Sequence, residues 1–135
     1  MEEPDFIGSW SMNPSLRPIG YGNFKMYIKE IKSIKEGVEL IKGTIEDCFG
    51  NAVFDGELSP EHIKFTKKYF SESVLNGAAP GKIKYEGKKI GDKYFGEYTV
   101  INVTTKGAPL DLDFQPGGMW KSNFVLEQYF DYTMN

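Results

Sequence analysis

Val38-Glu39-Leu40-Ile41-Lys42-Gly43-Thr44-Ile45-Glu46-Asp47, the turn Cys48-Phe49-Gly50-Asn51, and Ala52-Val53-Phe54-Asp55-Gly56-Glu57-Leu58 form the stretch on which the fold turns. Apolar and polar residues alternate with period two on both sides of a glycine-bearing turn, the pattern of an antiparallel hairpin with one buried face. Residues opposite one another in such a pair share a face and have a constant index sum. Pairing Ile45 with Phe54 sets Gly43 against Gly56, Ile41 against Leu58 and Asp47 against Ala52, which leaves one face apolar through its middle. Continuing through Ser59 to His62 puts Leu58 beside Ile63, Gly56 beside Phe65, Phe54 beside Lys67 and Ala52 beside Tyr69. A large ring then covers a glycine.

The same device recurs outward along the chain. A two-residue turn at Ile90-Gly91 sets Gly87 against Tyr94, Tyr85 against Gly96 and Ile83 against Tyr98. Eight runs carry the strand period: Phe6–Met12, Phe24–Ser33, Val38–Asp47, Ala52–Leu58, His62–Phe70, Lys82–Lys88, Tyr94–Val103 and Met119–Phe130. The two helix candidates are short, Ser71–Asn76 and a single turn opened by Pro60 over Ser59–His62. Glycines inside strands weaken a flat sheet but permit the coiling of a closed barrel, with aromatics filling the space they leave. The expected fold is all-β: one eight-stranded antiparallel up-and-down barrel spanning residues 1–135.

Composition bounds the function. The 135 residues suit one domain, and a chain of this size buries roughly two-thirds of its unfolded surface without disulfides or a structural metal. With 16 Lys and Arg against 19 Asp and Glu, the net charge of -3 offers no source for the counterion release that drives nucleic-acid binding. No run approaches a membrane span, and Met1-Glu2-Glu3-Pro4-Asp5 lacks the basic start and apolar run of a signal peptide. With one cysteine, Cys48, these features lead us to expect a protein of the reducing cytosol.

Phe6-Ile7-Gly8-Ser9-Trp10 resembles the Gly-x-Trp opening of the calycin group of small barrels, which includes lipocalins, fatty-acid-binding proteins and avidins. The resemblance implies that Gly8 lets the first strand bend and that Trp10 closes the base of the barrel. Gly43-Thr44-Ile45-Glu46-Asp47, Phe54-Asp55-Gly56, Phe65-Thr66-Lys67-Lys68-Tyr69 and Tyr85-Glu86-Gly87 are similar to a segment of uncharacterised lipocalin-like domains. That likeness covers about a third of the chain and implies no activity. Lipocalins set a basic side chain over the tryptophan. The only arginine here is Arg17, so either Arg17 or Lys121 substitutes or the base is packed differently.

Residues that could carry conventional chemistry are sparse. Cys48 and His62 are each unique, and the hairpin register puts them at opposite ends of one strand, which argues against a nucleophile pair. A lone histidine and a lone cysteine cannot build a zinc or haem site, so no metal or cofactor is expected. Asn76-Gly77-Ala78-Ala79-Pro80-Gly81-Lys82 is one residue short of a phosphate loop and leads into a strand where a helix is required. Asp111-Leu112-Asp113 supplies too few ligands for calcium, and Asn102-Val103-Thr104 matches a glycosylation acceptor only where a secretory signal exists.

The polar residues expected inside the barrel are more informative, because an interior charge must be paired or wet. Lys67 falls on the face of Ile63, Phe65 and Tyr69, and Asp47 on that of Ile41, Gly43 and Ile45, within reach of each other. They form either an ion pair near the rim or an anchor for a ligand's polar head group. Glu30, beyond Phe24, Met26 and Ile28, raises the same question. Tyr69, Tyr85, Tyr94 and Tyr98 line the same interior with Phe54 and Phe65, as walls that can also donate hydrogen bonds.

Small eight-stranded barrels either fill their interior or hold one small ligand. The first reading is a non-enzymatic binding protein for a small apolar or amphipathic molecule, with Lys67, Asp47, Tyr69, Tyr85, Tyr98, Phe54 and Phe65 as its site. The alternative is an interaction or scaffold module with a filled barrel, whose loops 13–23, 71–81 and 105–118 make the contacts. A barrel enzyme using Tyr, Glu, Asp and Lys as acids and bases is the third, and nothing in the sequence selects a reaction for it.

Overall fold

Period-two alternation carries eight segments into strands, which the computed structural model describes over residues 3–10, 22–76, 78, 80–101 and 119–129. The strands are β1 (Phe6–Trp10), β2 (Asn23–Lys35), β3 (Val38–Asp47), β4 (Gly50–Leu58), β5 (His62–Tyr69), β6 (Ile83–Ile90), β7 (Lys93–Ile101) and β8 (Met119–Gln128), with one short helix, α1 (Ser71–Leu75), after β5. Each strand pairs antiparallel with its sequence neighbour, and β1 also pairs with β8, so the sheet closes into an up-and-down barrel. This architecture is compatible with a calycin-like fold. Ser59–His62 is not a helical turn. Ser59 and His62 exchange backbone hydrogen bonds of 2.9 and 3.4 Å, so Pro60 and Glu61 are the two residues of a tight hairpin loop.

The β4–β5 register is the expected one, with Gly56 opposite Phe65 and Phe54 opposite Lys67. Two other registers differ from expectation by two residues. In the first hairpin Gly43 faces Phe54, Ile41 faces Gly56, Ile45 faces Ala52 and Asp47 faces Gly50. In the β6–β7 hairpin Tyr85 faces Tyr98, Gly87 faces Gly96 and Ile83 faces Val100. The cause lies in the turns. Gly50 and Gly91 have φ of 122° and 68°, a region open to glycine, so the first turn tightens to Cys48-Phe49 and the second moves on to Gly91-Asp92. Asp47 helps by accepting the Phe49 N–H at 2.9 Å. A slip of two residues keeps every side chain on its original face, so the inward set is unchanged.

That set is the core. Met26, Ile41, Ala52, Ile63 and Leu126 are fully shielded, the rings of Phe65, Tyr85 and Tyr98 stack in a row along the neighbouring strands β5, β6 and β7, and Phe24 of β2 reaches Tyr85 from the opposite wall at 6.2 Å. The Phe65 and Tyr85 rings lie 4.6 Å apart at 8°, Tyr85 and Tyr98 5.4 Å apart, and Phe124 meets Tyr85 edge-on at 5.1 Å. Gly8 makes room for the Phe24 ring, since a Cβ at Gly8 would fall 2.3 Å from its Cζ. Trp10 is buried where β1 ends. Glu30 does not enter the interior. A bulge between Ile28 and Glu30 reverses the alternation, so Glu30 sits exposed beside Lys42.

Candidate functional site

Three strands meet at the end of the barrel that holds Trp10. β3 brings Asp47 at its last position, β5 brings Lys67 and Tyr69 two residues apart on the inward face, and β4 separates them with Phe54 and Ala52. Lys67 Nζ lies 3.3 Å from Asp47 Oδ2 and donates to Tyr69 Oη at 2.9 Å, while the Tyr69 hydroxyl donates to the same carboxylate oxygen. The ammonium also lies 4.5 Å from the Tyr69 ring centroid and 5.2 Å from that of Tyr85. The Lys67 and Asp47 side chains are 2% and 0% exposed. The pair touches as the sequence reading expects, and it is dry.

Burial governs the electrostatics. Loss of hydration pushes the Lys67 amine down to about 8, against the opposing pull of the Asp47 carboxylate. Burial, then Tyr85 and Asp47, pushes the Tyr69 hydroxyl well above the usual range, and burial does the same to Tyr85. Tyr69 is therefore a hydrogen-bond donor at neutral pH and no source of a phenolate. Cys48, next to Asp47, is pushed up by burial and then by that carboxylate, which disfavours the nucleophilic thiolate.

Phe49 is the residue that sequence reasoning missed. From the tight turn its ring stacks on Trp10 at 6.1 Å and 8° and meets Tyr69 edge-on at 6.1 Å. It covers one face of Trp10. Lys121 is exposed on the outer face opposite Thr99, and Arg17 lies outside the described residues. A turn position carries no periodic signal, so only the register shift could have disclosed it.

The other expected wall residues, Tyr85, Tyr98, Phe54 and Phe65, do come together, but they pack on one another. Tyr94 is at the opposite end, where its hydroxyl donates to the Ser59 carbonyl at 3.0 Å. Ser122 is buried among the rings, and its hydroxyl has no hydrogen-bond partner among the described residues. Cys48 and His62 are at opposite ends of β4, and His62 Nε2 lies 3.4 Å from Glu86 Oε1 on the outer face. The loop before β6 leads into a strand, with Gly77 and Ala79 outside the described residues. Asn102–Thr104, Asp111–Asp113, 105–118 and 13–21 also lie outside them.

One cleft lies away from this cluster and another borders it. The first, of about 530 Å³, at the end opposite Trp10, is lined by Phe6, Leu58 and Tyr94 with Lys35 and Lys89 among its polar residues. The bordering one, of about 670 Å³, runs over Ile7, Ser9, Lys25 and Val125 and reaches Asp47 and Cys48. Among the described residues no three His, Cys, Asp or Glu side chains gather to hold a metal ion, and no helix is long and apolar enough to cross a membrane. Comparison with protein-family models, with curated proteins and with solved structures gives no match to this chain.

Proposed function

We propose that the chain is a calycin-like, non-enzymatic barrel whose interior is filled by its own side chains and which works as an interaction module. The observation that carries this reading is the contact of Phe24 from β2 with Tyr85 from β6, 6.2 Å across the barrel and onto the row of Phe65, Tyr85 and Tyr98, because a ligand in the lumen would have to occupy the same volume. The polar groups available to anchor a head group point the same way. Lys67, Asp47 and Tyr69 satisfy one another beneath Phe49, and exposing them would leave a buried charge unpaired.

The cleft at the far end supports a second reading, in which a small amphipathic molecule lies on Phe6, Leu58 and Tyr94 with its polar group toward Lys35 or Lys89. Native mass spectrometry of protein purified without added ligand, followed by titration with a hydrophobic dye and fatty or aromatic acids, tests both. The filled-module reading expects the mass of the bare chain and no stoichiometric dye site. Dye binding that Leu58→Lys abolishes would favour the end cleft. A retained molecule whose binding is indifferent to Leu58→Lys would return the ligand to the lumen and overturn the proposal.

A further inference from the structure

β2 has 13 residues, yet β1 lies beside it only from Asn23 to Met26. The ladder stops where Asp5 turns across it: the Asp5 N–H donates to the Met26 carbonyl at 2.8 Å, and its carboxylate accepts the Ile28 N–H at 2.7 Å. Beyond that point residues 29–35 have β3 as their only strand neighbour among the described residues, and all of them are exposed. Ile31 is opposite the buried Ile41, on the inward side, but is 57% exposed because no β1 residue flanks it. The outcome is a hairpin arm whose edge over residues 30–35 has no second paired strand among the described residues, which is a template for another strand.

We infer that a second copy of the chain docks on this edge, the two β2 strands pairing antiparallel about a two-fold axis at Ile31. Such an axis is perpendicular to the sheet and pairs residues that share a face, so it must pass through a residue of the regular stretch between the two bulges, Glu30–Ser33. Centring on Glu30 opposes Glu30 to its own copy. Centring on Lys32 opposes Lys32 to itself, and centring on Ser33 sets Lys32 against Ile34, which pairs no opposite charges. The axis at Ile31 sets Ile31 against Ile31, Glu30 against Lys32 and Lys32 against Glu30. This is the one register of the four that sets unlike charges opposite each other, and it flanks an apolar contact with two ion pairs. Lysines on an open edge ordinarily discourage strand addition. Here an acidic partner for Lys32 makes the same charges selective for one arrangement. The arm stands outside the closed wall, so this dimer is compatible with a filled or a hollow interior. A ladder this short buries little area, which places its affinity in the micromolar class.

Sedimentation equilibrium of the full chain over roughly 1 to 500 µM tests the inference. Wild type is expected to dimerise. Glu30→Lys alone and Lys32→Glu alone each turn two symmetry-related attractions into repulsions and should raise Kd by about tenfold. The double variant Glu30→Lys/Lys32→Glu should return to near the wild-type value. In a Cys48→Ser background, Ile31→Cys should give an interchain disulfide under mild oxidation, and Ile34→Cys should not. All these positions except Cys48 lie on the exposed arm, so far-UV circular dichroism and the urea midpoint serve as folding controls. A chain that stays monomeric throughout would overturn the inference, and so would a dimer indifferent to the charge swaps or lacking the Ile31→Cys cross-link.

Discussion

Replacing Lys67 with Met removes the ammonium and keeps the length of the side chain, so packing around Ile83 and Phe54 is retained while the charge is lost. Asp47, whose side chain is 0% exposed, keeps the Phe49 N–H and the Tyr69 hydroxyl but no cation. Stranding one member of a buried pair destabilises by about 3 to 5 kcal/mol. A chain of 135 residues is stable by roughly 7 to 20 kcal/mol, so the loss is a sizeable fraction of the total. Urea unfolding read by circular dichroism should show the midpoint falling by about 2 M with an unchanged slope. Lys67→Met/Asp47→Asn, which removes both charges and keeps an acceptor for Phe49, should be more stable than Lys67→Met alone. A loss below about 1 kcal/mol would mean that water screens the pair, and a double variant worse than the single one would mean that the damage is steric.

The pH dependence has a definite sign. Between the Lys67 value of about 8 in the folded chain and its ordinary 10.5, the unfolded chain binds more protons, so stability rises with pH over that window. Above about 10 the trend reverses, because Tyr69 and Tyr85 ionise only when unfolded. Urea midpoints from pH 7 to 11 should show this maximum, and Lys67→Met should abolish the rise. Gly56→Ala should destabilise by about 3 kcal/mol or prevent folding, since the new Cβ would fall 2.1 Å from the Lys64 carbonyl oxygen, and thermal melts measure this. Phe49→Ala should open the base: amine acylation mapped by mass spectrometry should leave Lys67 unmodified in wild type and modify it in the variant.

Eight strands, their inward faces and the contact of Lys67 with Asp47 were legible in the sequence, because period-two alternation is a local property that survives in any register of the correct parity. Closure was legible for a related reason: glycines under rings in eight successive strands permit the strong coiling that a closed barrel needs. The two-residue shifts at Gly50 and Gly91 were not, since a slip of two leaves the alternation identical and only the positive φ of each glycine selects the turn. The outward turn of Glu30 needed the bulge after Ile28, which answers to the neighbouring strand and has no signature of its own. Phe49 over Trp10, the dryness of the Asp47–Lys67 pair and the meeting of Phe24 with Tyr85 were decided by tertiary structure alone. Each depends on which rings from non-adjacent strands reach the same volume, a distance that no one-dimensional pattern contains.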